Sequence, residues 1–114
     1  MVPTSETSQE ALSAALAALR RAACDNLART TEILERLDRF ESQLDAGCSI
    51  HEVVAQEQRP IIVEMLSLNM ATLETHGAEF RAAQARALHD EGVTIHEIGE
   101  LFGVTRQRIS SLLR

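Results

Sequence analysis

The ten residues Thr105–Arg114 hold three guanidinium groups, Arg106, Arg108 and Arg114, beside Gln107, Thr105, Ser110 and Ser111, with no acid among them. A guanidinium is a fork of donors, a carboxamide sets a donor beside an acceptor, and a hydroxyl serves as either. This set grips phosphate oxygens and planar polar edges rather than breaking bonds. None of the seven is a nucleophile placed beside a base. Elsewhere the chain has no Gly-x-Ser-x-Gly, no phosphate-cradling glycine loop and no His-Glu-x-x-His, so enzymatic activity is not expected. Cys48-x-x-His51 has ligand-like spacing but supplies only half a tetrahedral site, so no metal and no other cofactor is expected. His51 and His96 each sit second in a helix beside Glu52 or Glu97 and are expected at the surface near a cap.

Those recognition groups need a scaffold, and the residues before them specify one. Thr94 offers a hydroxyl to the first free amides of a helix and Glu97 lies three residues on, a capping box ahead of Ile95, Ile98, Leu101 and Phe102. Gly103 follows the last apolar residue, where a left-handed backbone costs glycine little, and Thr105 can cap a second helix that turns Ile109, Leu112 and Leu113 inward. The reading is helix, three-residue turn, helix.

Ile98, Gly99, Phe102, Gly103, Val104, Ile109 and Leu112 resemble the buried and turn positions of the bacterial helix-turn-helix DNA-binding family. Gly-Val-Thr-Arg-Gln-Arg-Ile-Ser is also similar to the recognition-helix entrance of sigma-factor region 4 and of serine-recombinase C-terminal domains. The resemblance covers the last third of the chain. It implies that Ile98 and Phe102 pack the first helix, that Gly99 lets the second approach, that Gly103 makes the turn, and that Val104, Ile109 and Leu112 close the core. It further implies that a recognition helix of about residues 105–113 lies in the major groove of double-stranded DNA, with contacts from Thr105, Arg106, Gln107, Ser110, Ser111 and Arg114. Arg binds guanine and Gln binds adenine bidentately, so Arg106 and Gln107 are the base-reading candidates, while Thr105 and the Thr94 helix end suit phosphate. Arg108 either reaches phosphate or pairs with Glu97 or Glu100.

A chain of 114 residues with a formal net charge of -6 is by its sum ill suited to a polyanion, but the distribution is uneven. Twelve acids face six Arg through Gly77, and five face five from Ala78 onward, leaving the terminal stretch locally basic. Phe40, Phe80 and Phe102 are the only aromatics and Ala, Leu, Glu and Arg dominate, so the expected fold class is all-α. Cys24 and Cys48 are too few for a disulfide framework, no apolar run approaches the roughly 20 residues of a membrane span, and residues 1–9 lack the blocks of a signal peptide. A cytoplasmic protein with no membrane partner is expected.

Residues 1–7, with Pro3 and several hydroxyls, read as a disordered N-terminus. From Ser8 to Ala46 there is no Pro or Gly, and Leu12, Leu16, Leu19, Ala23, Asn26, Thr30, Ile33, Leu37, Phe40 and Leu44 recur in steps of four and three. This predicts one long amphipathic helix whose stripe, widened by Leu27 and Leu34, associates two chains as a homodimer. Asn26 and Thr30 either face water or fix the register of that seam. Cys24, next to the stripe, is expected to be buried. Arg20, Arg21, Arg29, Arg36 and Arg39 among Glu32, Glu35, Asp38 and Glu41 read as a solvated face.

Gly47 ends the long helix, and Ser49-Ile50-His51-Glu52 caps a short one to about Gln58. The pattern of residues 45–53 recurs at 90–98 as shared junction chemistry, without a second recognition helix. Pro60 suits the first turn of the next helix, where Ile61, Ile62, Met65, Leu66, Leu68, Met70 and Leu73 make more than one side apolar, as in a buried helix. A break or hinge is expected at His76-Gly77. Phe80, Ala83, Ala87 and Leu88 then start a three-helix unit, with Gly92 ending its first helix. The expected division is a helical dimerisation and regulatory region at 8–77 and a DNA-binding region at 78–114. Together these readings describe a homodimeric DNA-binding transcriptional regulator. Two alternatives stand beside it, an accessory factor contacting another transcription protein through its acidic helices, and a small-molecule or redox sensor using Met65, Met70 or the cysteines.

Overall fold

The computed structural model describes residues 4–114, and every element among them is a helix: α1 (Thr4–Asp45), α2 (Ile50–Ala55), α3 (Ile62–Asp90), α4 (Ile95–Phe102) and α5 (Arg106–Leu113). No described helix is long and apolar enough to cross a membrane. Of residues 1–7, expected to be disordered, 1–3 lie outside the described part. Helix α1 already runs from Thr4, and Ser8, buried, donates from its hydroxyl to the Asp90 carboxylate, tying down the first turns.

The break expected at His76-Gly77 is absent, because α3 continues through it to Asp90. One helical glycine costs about 1 kcal/mol, less than the roughly 1.5–3 kcal/mol gained by burying a single large apolar side chain, and α3 buries residues on both sides of Gly77. The helix also starts later than Pro60 suggests. Arg59-Pro60 is a cis peptide, and the first amides of α3 are capped from outside the helix, Ile62 by the Glu57 carboxylate at 3.0 Å. The amide of Ile61 and Nη1 of Arg59 donate to Glu64 at 3.1 and 2.5 Å, and these two bonds hold the Glu64 carboxyl below its ordinary value of 4.5. Two compact units result, residues 22–74 and the residues up to Arg21 together with Thr75–Arg114. On α3 the boundary falls between Glu74 and Thr75, close to the division expected after Gly77, whereas the residues up to Arg21, expected with the first region, group with the C-terminal one.

Within residues 22–74, α1 and α3 form an antiparallel pair. Ile33 packs with Ile62 and Met65 in the core, with Phe40 against them. The seam is fastened by polar groups: Asn26, only 6% exposed, donates from Nδ2 to the Asn69 carbonyl at 2.9 Å and accepts at Oδ1 from Thr72 Oγ1 at 3.0 Å. Arg29 donates to Asn69 Oδ1 at 2.7 Å, and Arg36 reaches the carbonyls of Gln58 and Pro60 at 2.8 and 2.5 Å. These two arginines are therefore structural donors and not part of a solvated face.

The stripe expected to join two chains is thereby split. Asn26, Ile33 and Phe40 are used within the chain, together with the series Ala22, Arg29 and Arg36 one residue before the expected one. Leu12 and Leu19 are half-buried, whereas Leu16, Ala23, Thr30, Leu37 and Leu44 stay exposed. The reason is angular. A straight helix advances 3.6 residues per turn, so a stripe wider than two positions per heptad contains two faces, and α3 covers one of them. Cys24 falls on the uncovered side and is exposed. Likewise Met65 is buried while Met70, one and a half turns on, is 72% exposed.

Candidate nucleic-acid interface

The second unit centres on Ala85, Ile98 and Ile109, all fully buried, with Leu88, Val93, Ile95, Phe102, Leu112 and Leu113 packed around them. Each junction follows from local chemistry. Gly92 (φ 93°) ends the chain's turn after α3, and Thr94, in extended conformation, accepts at Oγ1 from the Glu97 amide at 3.2 Å to start α4. Gly103 takes the left-handed conformation (φ 70°), and the amide of Val104 donates to the Gly99 carbonyl at 2.9 Å. Thr105 Oγ1 then accepts from the Arg108 amide at 3.1 Å and starts α5.

Gly99 is where α4 meets the turn. A Cβ there would lie 2.9 Å from the Val104 carbonyl oxygen, closer than side-chain carbons approach backbone, so only glycine permits this geometry. Two positions depart from the reading of the sequence. Val104 does not close the core, because its carbonyl occupies the space against Gly99 and its side chain stays exposed; Leu101 is also exposed.

Ile109, Leu112 and Leu113 fix the rotation of α5, and at about 100° per residue the positions opposite them are Gln107, Ser111 and Arg114. Arg106 and Ser110 lie on one flank of this crest and Arg108 on the other. Thr105, Gln107, Arg108, Ser110, Ser111 and Arg114 line one shallow polar depression. Six of the seven candidate residues of the terminal stretch are thus brought together, with Ser110 half-buried and the others exposed; Arg106 is exposed too but does not line this depression. Thr94 is exposed at the start of α4, outside that depression.

Among the described residues no ion pair engages Arg106, Arg108 or Arg114. The pairing considered between Arg108 and Glu97 or Glu100 does not form; Glu100 instead receives His96 Nε2 at 2.5 Å, one turn earlier on α4. Three guanidinium groups without a carboxylate partner give α5 a positive, hydrogen-bonding outer face. The first amides of the helix, beyond the one taken by Thr105, add donors and a partial positive charge in the same direction. No described group of three or more His, Cys, Asp or Glu is placed to hold a metal, and Cys48 and His51 belong to no such group. Compared with known proteins, the chain matches no family model, no curated protein and no solved structure.

Sequence reading missed Ala85, the fully buried centre of this core on α3. The signal was present in its spacing, since Ala85 and Leu88 are three apart on one helical face.

Proposed function

We propose that this chain is a sequence-specific DNA-binding transcriptional regulator that works as a homodimer. In this reading α4, the Gly103 turn and α5 form a helix-turn-helix, with α5 as the recognition helix in the major groove. The observation that carries it is the outer face of α5, where Arg106, Arg108 and Arg114 stand free of ion pairs beside Gln107, Ser110 and Ser111 on a helix whose rotation Ile109 fixes. Gln107 at the crest and Arg106 on its flank are suited to base edges; Thr105, Arg108 and Arg114 are suited to phosphates on either side. The acids of α4, Glu97 and Glu100, bias such a surface against non-specific contact with the backbone, so affinity depends on docking two recognition helices at once.

The test is selection from a random duplex pool followed by salt titration. Enriched sites with two half-sites about 34 Å apart, or a multiple of that, and an affinity that falls steeply with salt are expected. Gln107→Ala and Arg106→Ala should each relax preference at one base position by about 1–3 kcal/mol, whereas Arg108→Ala should weaken all sequences alike. No enrichment at low salt would end this reading. A second reading, an accessory factor for another transcription protein, is favoured by one observation: residues 22–74 carry ten acids against four Arg, which is the entire net charge of -6. Pull-down of polymerase components without any DNA enrichment would select it.

A further inference from the structure

We propose that two copies of this chain pair through a second apolar face of the α1–α3 hairpin in residues 22–74, forming a four-helix bundle with two helices from each copy. Leu27, Leu34 and Leu37 on α1 are exposed, Leu27 at 70%, and Val63, Leu66 and Met70 on α3 are exposed as well, Val63 at 61%. Their spacings are the threes, fours and sevens of a helical stripe. At 3.6 residues per turn each row lies roughly 100° around its own helix from the seam that already joins α1 to α3. Because the helices run antiparallel, the two rotations bring both rows to the same side of the hairpin. Two inward faces about a right angle apart are what each helix of a four-helix bundle requires, and a hairpin alone covers only one.

The occupant follows from area and symmetry. Taken at their fractional exposures, these six residues expose on the order of 600 Å², at the upper end of the largest apolar patch a monomer carries and approaching the roughly 800 Å² each partner buries in a standard interface. An apolar groove lined by Leu37, Phe40, Val54 and Val63 continues the same surface. A pair of parallel ridges is self-complementary under a two-fold axis, so a second copy fits it with no further element. Ten acids against four Arg in this unit oppose any pairing of copies through charge, and none of those charges lies among the six residues. The choice of a second copy rests on the homodimer proposed above, but the face itself requires nothing of DNA binding.

Light scattering after gel filtration, with far-ultraviolet circular dichroism, tests this on the full chain and on Leu34→Glu, Met70→Glu and Leu68→Glu. Leu68 is exposed at 46% on the other side of α3 and serves as the control. The wild type and Leu68→Glu should scatter at twice the 12.6 kDa chain mass at micromolar concentration, and Leu34→Glu and Met70→Glu at the chain mass with unchanged helical signal. If one of those two loses its helical signal, the other decides. A monomeric wild type, or a dimer intact in both variants, overturns the proposal. A wild type that dimerises through this face yet enriches no duplex leaves the bundle standing and removes the regulator; selective DNA binding by a monomer does the reverse.

Discussion

At the scale of single residues, Gly99 and Glu64 convert local geometry into measurable energy. A methyl at position 99 would meet the Val104 carbonyl at 2.9 Å, and the object in the way is backbone, fixed in turn by the Val104 amide bond to the Gly99 carbonyl. Gly99→Ala should therefore lower stability by about 1–3 kcal/mol, the range for overpacking a tight contact, despite alanine's better helix propensity. A urea midpoint equal to wild type would show that the turn yields freely. Gly77→Ala is the counterpart: its Cβ would meet only Arg81 Nη1 at 3.5 Å, in ordinary contact, so the same change in mid-helix should stabilise. Glu64 works through protonation. Its carboxyl is held low by the Ile61 amide first and the Arg59 side chain second, so its ionised form is favoured in the folded chain. Stability from it is present above the unfolded carboxyl value and is lost as pH falls through the lowered folded value. A small gap between wild type and Glu64→Gln at neutral pH should accordingly close in acid, and a gap constant down to pH 2 would exclude this linkage.

At the scale of elements, the α1–α3 seam explains which parts of the architecture could be read from the chain. Caps were legible because they are local: Ser49, Thr94 and Thr105 each accept from the amide three residues on, and Gly47, Gly92 and Gly103 all take positive φ at helix ends. The rotation of α5 was legible too, since Ile109, Leu112 and Leu113 admit one inward face. Partnership was not. The α1 stripe is apolar over more than one face, and nothing in its spacing tells which face α3 takes; the packing of Ile62 and Met65 on Ile33 and the placement of Asn69 and Thr72 opposite Asn26 decide it together. Gly77 misled for the same reason, its local cost being outweighed by packing distant in sequence. The seam's polar centre makes its own prediction. Removing Asn26 leaves Thr72 bonded to the Leu68 carbonyl at 3.0 Å and Arg29 to Asn69 at 2.7 Å, so no buried donor is orphaned. Asn26→Ala should thus cost about 1 kcal/mol, at the low end for a buried hydrogen-bonding group, read as a urea midpoint at fixed protein concentration. A loss above 3 kcal/mol would mean that the network acts as a unit with no redundancy.

At the scale of the whole molecule, charge is unevenly distributed along the chain in a way that bears on the proposed reading of DNA. Residues 22–74 hold the entire net charge of -6, while the residues up to 21 and from 75 onward carry seven acids and seven Arg and balance to zero. In the proposed reading the α5 surface is therefore basic only locally, and one copy would offer three Arg of α5 with a short row of hydroxyls and amides. Few phosphate contacts mean weak binding by a single copy at physiological salt, since each contact neutralised contributes a separate increment of counterion release. In the proposed homodimer the second docking event would be intramolecular, and the gain would exist only where both half-sites face the protein together. Insertion into a selected site makes this visible. Five base pairs added between half-sites rotate one by about half a helical turn and should reduce affinity toward that of an isolated half-site; ten should restore the facing and recover part of the affinity. Equal affinity for all three spacings would mean that each α5 reads alone, and would remove dimer geometry from the mechanism while leaving the recognition helix in place.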